Sequence, residues 1–251
     1  SLKNGDYSEA VVELKKDLHS LGYTVPGNFT THYGPLTANA VRSFQRDHSL
    51  PVSGVADYKT LEAIKKQLNR IVKIFIDPGH GGRDPGAIGY NIYEKDIVLD
   101  IARRTGEYLM NNYAGVQIKY SRTTDATLEL KDRTNLANQW GADFFISFHN
   151  NAFNGKAYGF ETYIYNGDRA SRLYQEIIHN HIVNNLNVHD RGKKEKNLHV
   201  LRESNMPSIL IEYLFIDNPI ENQKLKDINF RKKLGELTGE AIAKAFLLKE
   251  R

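Results

Sequence analysis

Three strings in this 251-residue chain put unusual polar residues where chemistry can be done. Asp77-Pro78-Gly79-His80-Gly81-Gly82 is a run of turn residues around one histidine, and it grows out of the apolar string VKIFID. Ser147-Phe148-His149-Asn150-Asn151 grows out of a second apolar run, and Ile211-Glu212-Tyr213 closes a third. Glu94 opens the helical pattern that follows the GHGG loop. In open α/β sheets, ligand sites form beyond the carboxyl ends of the strands. Two histidines and a glutamate far apart in sequence can therefore converge, with Glu94 as a fourth candidate on the same rim. Two imidazoles and one carboxylate are the ligand set typical of hydrolytic zinc, which keeps a fourth position for water. The remaining carboxylate can then act as general base and later as general acid. The spacing is not that of a helical HExxH site, so that protease class is excluded. Residue types alone leave open which glutamate binds metal and which moves protons.

These residues need elements to position them. From Val72 onward, strand-like runs at Val72–Asp77, Val116–Tyr120, Asp143–Phe148, Phe160–Tyr165 and Ser208–Tyr213 alternate with helical patterns. The helical patterns cover Glu94–Asn111, Leu128–Trp140, Ala170–Leu186 and Phe230–Leu248. Such alternation predicts an α/β catalytic domain, a largely parallel sheet flanked by helices. Residues 1–70 read differently. Ala10, Val11, Leu14, Leu18 and Leu21 follow helical spacing until Gly22 stops the helix, and Thr37–His48 and Asp57–Leu68 make two more helices. This predicts a small three-helix domain at 1–70 preceding the catalytic domain at 71–251, with the boundary near Asn69–Val72.

Composition narrows the field. Hydrophobic residues at 40% and charged residues at 25% are ordinary for a globular chain with a real core. No apolar stretch is long enough to span a membrane. The chain has no cysteine, so disulfides, thiolate metal sites and a cysteine nucleophile are excluded. A net charge of +4 without a basic stripe argues against nucleic acid as partner. The opening SLKNGDY, without Met or an apolar signal core, reads as a processed or trimmed chain.

The strings DPGHGG with Glu94, SFHNNA and IEYLFIDN resemble the motifs of zinc-dependent N-acetylmuramoyl-L-alanine amidases of the Amidase_3 type. SRTTD at Ser121–Asp125, the Arg133…Ala137-Asn138 segment and DRG…HVLR at Asp190–Arg202 are similar as well. The resemblance spans about Val72–Leu248 with its landmarks in order. It implies zinc as cofactor, His80, Glu94 and His149 as its ligands, and Glu212 as the catalytic carboxylate. It also implies peptidoglycan as substrate, cut at the amide between N-acetylmuramic acid and L-alanine, and an extracellular or wall-associated place of action. Leu214 departs from the family, where many members carry a small residue; the departure is expected to leave the chemistry intact while giving room for altered substrate contacts. The LKKDLHSLGY run (Leu14–Tyr23), Thr37…Ala40-Val41…Phe44-Gln45 and Leu50-Pro51-Val52…Gly54…Thr60-Leu61 are similar to the peptidoglycan_binding_1 module. Its usual tight turn is stretched here into GNFTTHYGPLT.

A lone GHGG is a weak signal, and an acid at a helix start, such as Glu94, also suits the helix dipole. The ordered set of motifs carries the metal reading. His179 and His181 lie two apart on a helix and face different ways, so they cannot chelate one ion; His189 and His199 are expected at the surface. Asn151, Arg122 and Arg191 are the candidate substrate contacts, although arginines such as Arg122 and Arg133 more often hold loops together. A monomer is favoured. Two other readings stay open: a zinc carboxypeptidase or endopeptidase acting on the wall peptide, and a non-catalytic wall-binding protein.

Overall fold

The computed structural model describes residues 1–251, and the chain divides into two compact units, Ser1–Ile71 and Val72–Arg251. Each has its own apolar core.

The first unit contains α1 (Glu9–Ser20), α2 (Pro35–Asp47) and α3 (Tyr58–Leu68). Helix α1 buries Val11, Leu14 and Leu18, one face of a 3.6-residue repeat. Helix α2 starts on Pro35, whose fixed φ suits a first helical turn, and buries Val41 and Phe44. Asp57 caps α3 by accepting the Thr60 amide at 2.8 Å. Buried Gln45 pins the turn before α3: it donates to the Val55 carbonyl at 2.9 Å and accepts from the Gly54 amide at 2.9 Å. The stretched loop also contributes to this core. Its Tyr33 is fully buried and donates to the Gly54 carbonyl at 2.7 Å.

The second unit runs β1 (Val72–Pro78), β2 (Ile88–Gly89), β3 (Ile92–Tyr93), α4 (Glu94–Asn112), β4 (Val116–Tyr120), α5 (Leu130–Trp140) and β5 (Phe144–Asn151). It continues with β6 (Phe160–Ile164), α6 (Arg169–Asn185), β7 (Asp190–Glu195), α7 (His199–Arg202), β8 (Ser208–Phe215), α8 (Pro219–Lys226) and α9 (Ile228–Phe246). Six strands form one sheet in the order β4-β1-β5-β8-β6-β7, and β2 and β3 pair as a separate hairpin. Every pairing in the large sheet is parallel except β6 with β8. The expected largely parallel sheet is therefore a mixed one with a single antiparallel junction.

Strand alternation sorts the side chains onto two faces. Ile74, Ile76, Ile146 and Ile211 pack with Ile97, Val98 and Ile101 of α4, Ile178 of α6 and Leu234 of α9. Phe75, Phe145 and Leu210 face the other way, against Ala137 of α5 and Val200 and Leu201 of α7. By the same alternation Asp77, Ser147, His149 and Glu212 lie on the α5 and α7 face. Strand β7 reads DRGKKE and lacks an apolar run, which suits an edge strand kept charged against unwanted pairing; the sequence pattern does not disclose it.

Candidate metal centre and active site

The site is assembled on a rigid loop. Asp77 is buried at the end of β1 and accepts from Ser121 Oγ at 2.6 Å, Ser147 Oγ at 2.7 Å and Arg133 Nη1 at 2.9 Å. Arg133 also donates to the carbonyls of Pro78 (2.7 Å) and His80 (2.6 Å). Arg122 donates to the carbonyls of Pro78, Gly79, Lys95 and Thr124 at 2.7–3.1 Å. Two buried guanidiniums thus clamp the main chain around His80. Arg122, a candidate substrate contact from the sequence, spends its donors on the loop and is 4% exposed.

The loop turns sharply: His80 has φ +58°, a conformation rare for residues with a Cβ. Glycine is required beside it by crowding. A Cβ on Gly79 would lie 2.3 Å from His149 Cε1, and one on Gly86 would lie 2.6 Å from both Glu94 Oε2 and His80 Cδ2.

Into this turn the chain brings His80, Glu94 and His149. His80 Nε2 lies 3.1 Å and His149 Nδ1 2.9 Å from the same oxygen, Glu94 Oε1. One ligand atom from each residue falls within 4.8 Å of the others, so the three can hold one metal ion. Glu94 is 3% exposed and held on both oxygens, Oε1 by the Asn150 amide at 3.0 Å and Oε2 by the Ala87 amide at 2.8 Å. Burial favours its neutral form, but His149 and His80 outweigh this and keep its carboxyl well below the usual carboxylate range. Asp84, which the sequence reading did not single out, accepts from His80 Nδ1 at 2.7 Å and from the Gly86 amide at 3.0 Å. Burial lowers the proton affinity of His80, and Glu94 and Asp84 more than offset that. With Nδ1 facing Asp84, Nε2 is the nitrogen left to face the centre.

Glu212 sits beside this group as the register partner of His149 across β5 and β8. Its Oε2 is sealed from solvent without a hydrogen-bond partner. Burial, and then repulsion from Glu94 and Glu161, raise its carboxyl well above the usual range. A buried, unpartnered carboxyl oxygen beside a metal-binding group is poised to exchange a proton with something placed there.

Of the other singled-out residues, Asn151 and Arg191 meet at one carboxylate and the rest are dispersed. Asn151 Nδ2 donates to Glu161 Oε1 at 2.7 Å, and Arg191 Nε donates to Glu161 Oε2 at 2.9 Å. His179 is buried between Thr162 and Asp190, while His181 meets Glu240, so the two histidines do separate. His189 is exposed; His199 is half-buried. Leu214 is fully buried with φ +64° and makes its contacts in the core, so the reading of altered substrate contacts is corrected. Its left-handed backbone is one that glycine adopts without strain. Glu161 also escaped the sequence reading. Its only signal was an acid inside the apolar strand FETYI.

Comparison with known proteins agrees with this geometry. Residues 74–244 match the N-acetylmuramoyl-L-alanine amidase family, and residues 7–64 match a peptidoglycan binding domain. The sporulation-specific N-acetylmuramoyl-L-alanine amidase of Bacillus subtilis (strain 168) is 48% identical over 181 residues, covering 72% of this chain and 70% of its own. The endolysin of Bacillus phage SPP1 is 40% identical, covering 71% of this chain and 67% of its own. The crystal structure of an N-acetylmuramoyl-L-alanine amidase from Clostridium difficile 630 superimposes with a TM-score of 0.68 at 40% identity, over 70% of this chain and 96% of that one. Motifs, fold and site thus agree, and the chain belongs to the N-acetylmuramoyl-L-alanine amidase family, with a peptidoglycan-binding module before its catalytic unit.

Proposed function

We propose that this chain hydrolyses the amide between N-acetylmuramic acid and L-alanine in peptidoglycan, using zinc held by His80, Glu94 and His149. The observation that carries the reading is the convergence of these three residues beside Glu212, with its sealed and unpartnered oxygen. A His₂Glu donor set without thiolates suits zinc in a hydrolase. Bound there, zinc would polarise the scissile carbonyl and supply a water of pKa about 7. Glu212 takes a proton from the attacking water and delivers it to the alanine nitrogen as the carbon–nitrogen bond breaks. Arg122 and Arg133 keep His80 in place and bind no substrate. The N-terminal module holds the enzyme on the wall polymer. No helix is long and apolar enough to cross a membrane, and the polymeric substrate implies action outside the cell membrane, at the wall.

Mass spectrometry of purified wall digested by the protein tests the bond. New N-terminal alanine is expected, whereas release of a terminal amino acid would mark a carboxypeptidase. Metal analysis tests the centre: one zinc per chain is expected, lost with activity in His80→Ala and His149→Ala. Full zinc content in the double variant would remove this site, and a chain that binds wall without cleaving it would be a binding protein only.

A further inference from the structure

Three neighbouring strands carry one row of side chains across the sheet. His149 on β5 is the register partner of Glu212 on β8, and Glu212 is in turn the partner of Glu161 on β6. Directly opposed residues share a face, so all three lie on the α5 and α7 face. On β6, Glu161 is 3% exposed and is the hub of a cluster. It accepts from Asn151 Nδ2 at 2.7 Å, Tyr163 OH at 2.8 Å, Arg191 Nε at 2.9 Å and Lys194 Nζ. The cations come from β7 and the residue after it, and each is held. Arg191 stacks over Phe215 at 4.9 Å, and Lys194 and Lys196 lie over the Tyr163 ring at 5.9 and 5.8 Å. Arg191 and Lys194 keep about a third of their side chains exposed, at 31% and 36%. Arg191 and Lys194 share one buried carboxylate, Arg191 Nη1 also donates to the Tyr158 carbonyl at 3.3 Å, and exposed Lys196 stands beside them over the same tyrosine ring, next to the reactive row.

We propose that Arg191, Lys194 and Lys196 form a shelf that binds a carboxylate on the peptide side of the scissile bond, and that Glu161 is the positioning residue that holds the shelf. The inference rests on the amidase reading above. The shelf carries surplus positive charge where the substrate must pass, and an ionised acceptor makes the strongest match for arginine and lysine donors. The acid must lie on the peptide side, because the lactyl carboxyl of the sugar is consumed in the amide that is cut. Geometry narrows its place. Strands are about 4.8 Å apart, so the shelf extends about 5–10 Å from Glu212. An extended peptide covers about 3.4 Å per residue, which brings the second or third residue of the peptide to the shelf.

The test uses the full chain and soluble muramoyl peptides in matched pairs. In one pair the second residue carries a free carboxyl or its amide; in the other the third residue does. The free acid of one pair is expected to be cleaved with kcat/KM about 10- to 100-fold above its amide, the range for hydrogen bonds to a charged group. Arg191→Gln and Lys194→Gln should each bring acid and amide closer together. Glu161→Gln should do the same at unchanged zinc content; a merely structural defect would slow both substrates alike and leave the ratio standing. Equal kcat/KM for acid and amide in both pairs, measured on the unaltered protein, overturns the shelf and leaves the hydrolase reading intact. Failure to cleave any muramoyl peptide overturns both.

Discussion

Glu94 and Glu212 share one rim, yet the chain drives their proton affinities in opposite directions. Burial acts on both. Glu94 is answered by two imidazoles and two backbone amides, which hold it ionised, whereas around Glu212 burial and the repulsion of Glu94 and Glu161 outweigh the lowering effect of Lys196. In the proposed mechanism this divergence lets one carboxyl serve as ligand and the other as proton carrier.

Glu212→Gln should therefore keep the fold and the metal and lose hydrolysis. One acid/base group contributes about 10²–10⁴-fold, and a water-activating base belongs at the upper end. Zinc content and turnover measured on the same preparation check this; lost zinc would mean that the two glutamates have been exchanged.

Asp84→Asn tests the partner of His80. A carboxylate on the far nitrogen of a metal-ligating histidine fixes its tautomer and orientation. Zinc affinity measured by competition with a chelator should fall by about 10- to 100-fold, with near-UV circular dichroism unchanged. Unaltered affinity would reduce Asp84 to a loop contact.

Leu214→Gly separates backbone strain from packing. Loss of a buried leucine side chain costs about 2–5 kcal/mol, and relief of a left-handed φ recovers about 1–2 kcal/mol. A net destabilisation of about 1–3 kcal/mol is expected in chemical denaturation. A gain in stability would show that strain outweighs packing at this bulge.

Glu161 predicts an acid limit. Burial alone would raise its carboxyl, but Lys194, Asn151, Tyr163 and Arg191 hold it down to about 2, below its ordinary 4.5. A carboxyl depressed on folding contributes stability that is complete above its unfolded value and lost as pH falls toward its folded one. Between about pH 5 and pH 3, the melting temperature of the parent protein should fall more steeply than that of Glu161→Gln. Parallel curves would show that Glu161 is not linked to folding.

Removal of residues 1–71 tests the N-terminal module. All the proposed chemistry lies in Val72–Arg251, a unit with its own core. Once circular dichroism and zinc content show it folded, this fragment should cleave soluble muropeptides about as well as the full chain. On intact wall it should pellet less and digest more slowly, because a tethered second site raises avidity by about 10²–10⁴-fold. Equal wall binding would remove the targeting role.

The sequence by itself carried the alternation of strands and helices, the two units and the ligand types, because these are local properties. Apolar period reveals which face an element buries, and the runs ending in His80, His149 and Glu212 mark strand ends without any partner strand being known. Tertiary structure decided what depends on pairing between distant segments. Only strand order and register put His149, Glu212 and Glu161 in one row, and only the antiparallel β6 aligns the start of its strand with the ends of β5 and β8. Asp84 and Glu161 looked like ordinary acids in sequence, since their roles rest on hydrogen bonds to His80 and to four separate donors. Strand β7 was hidden because an edge strand buries too little to need an apolar pattern. Arg122 carried two readings in the sequence, substrate contact or loop holder, and the folded loop, which takes its donors for four backbone carbonyls, favours the second.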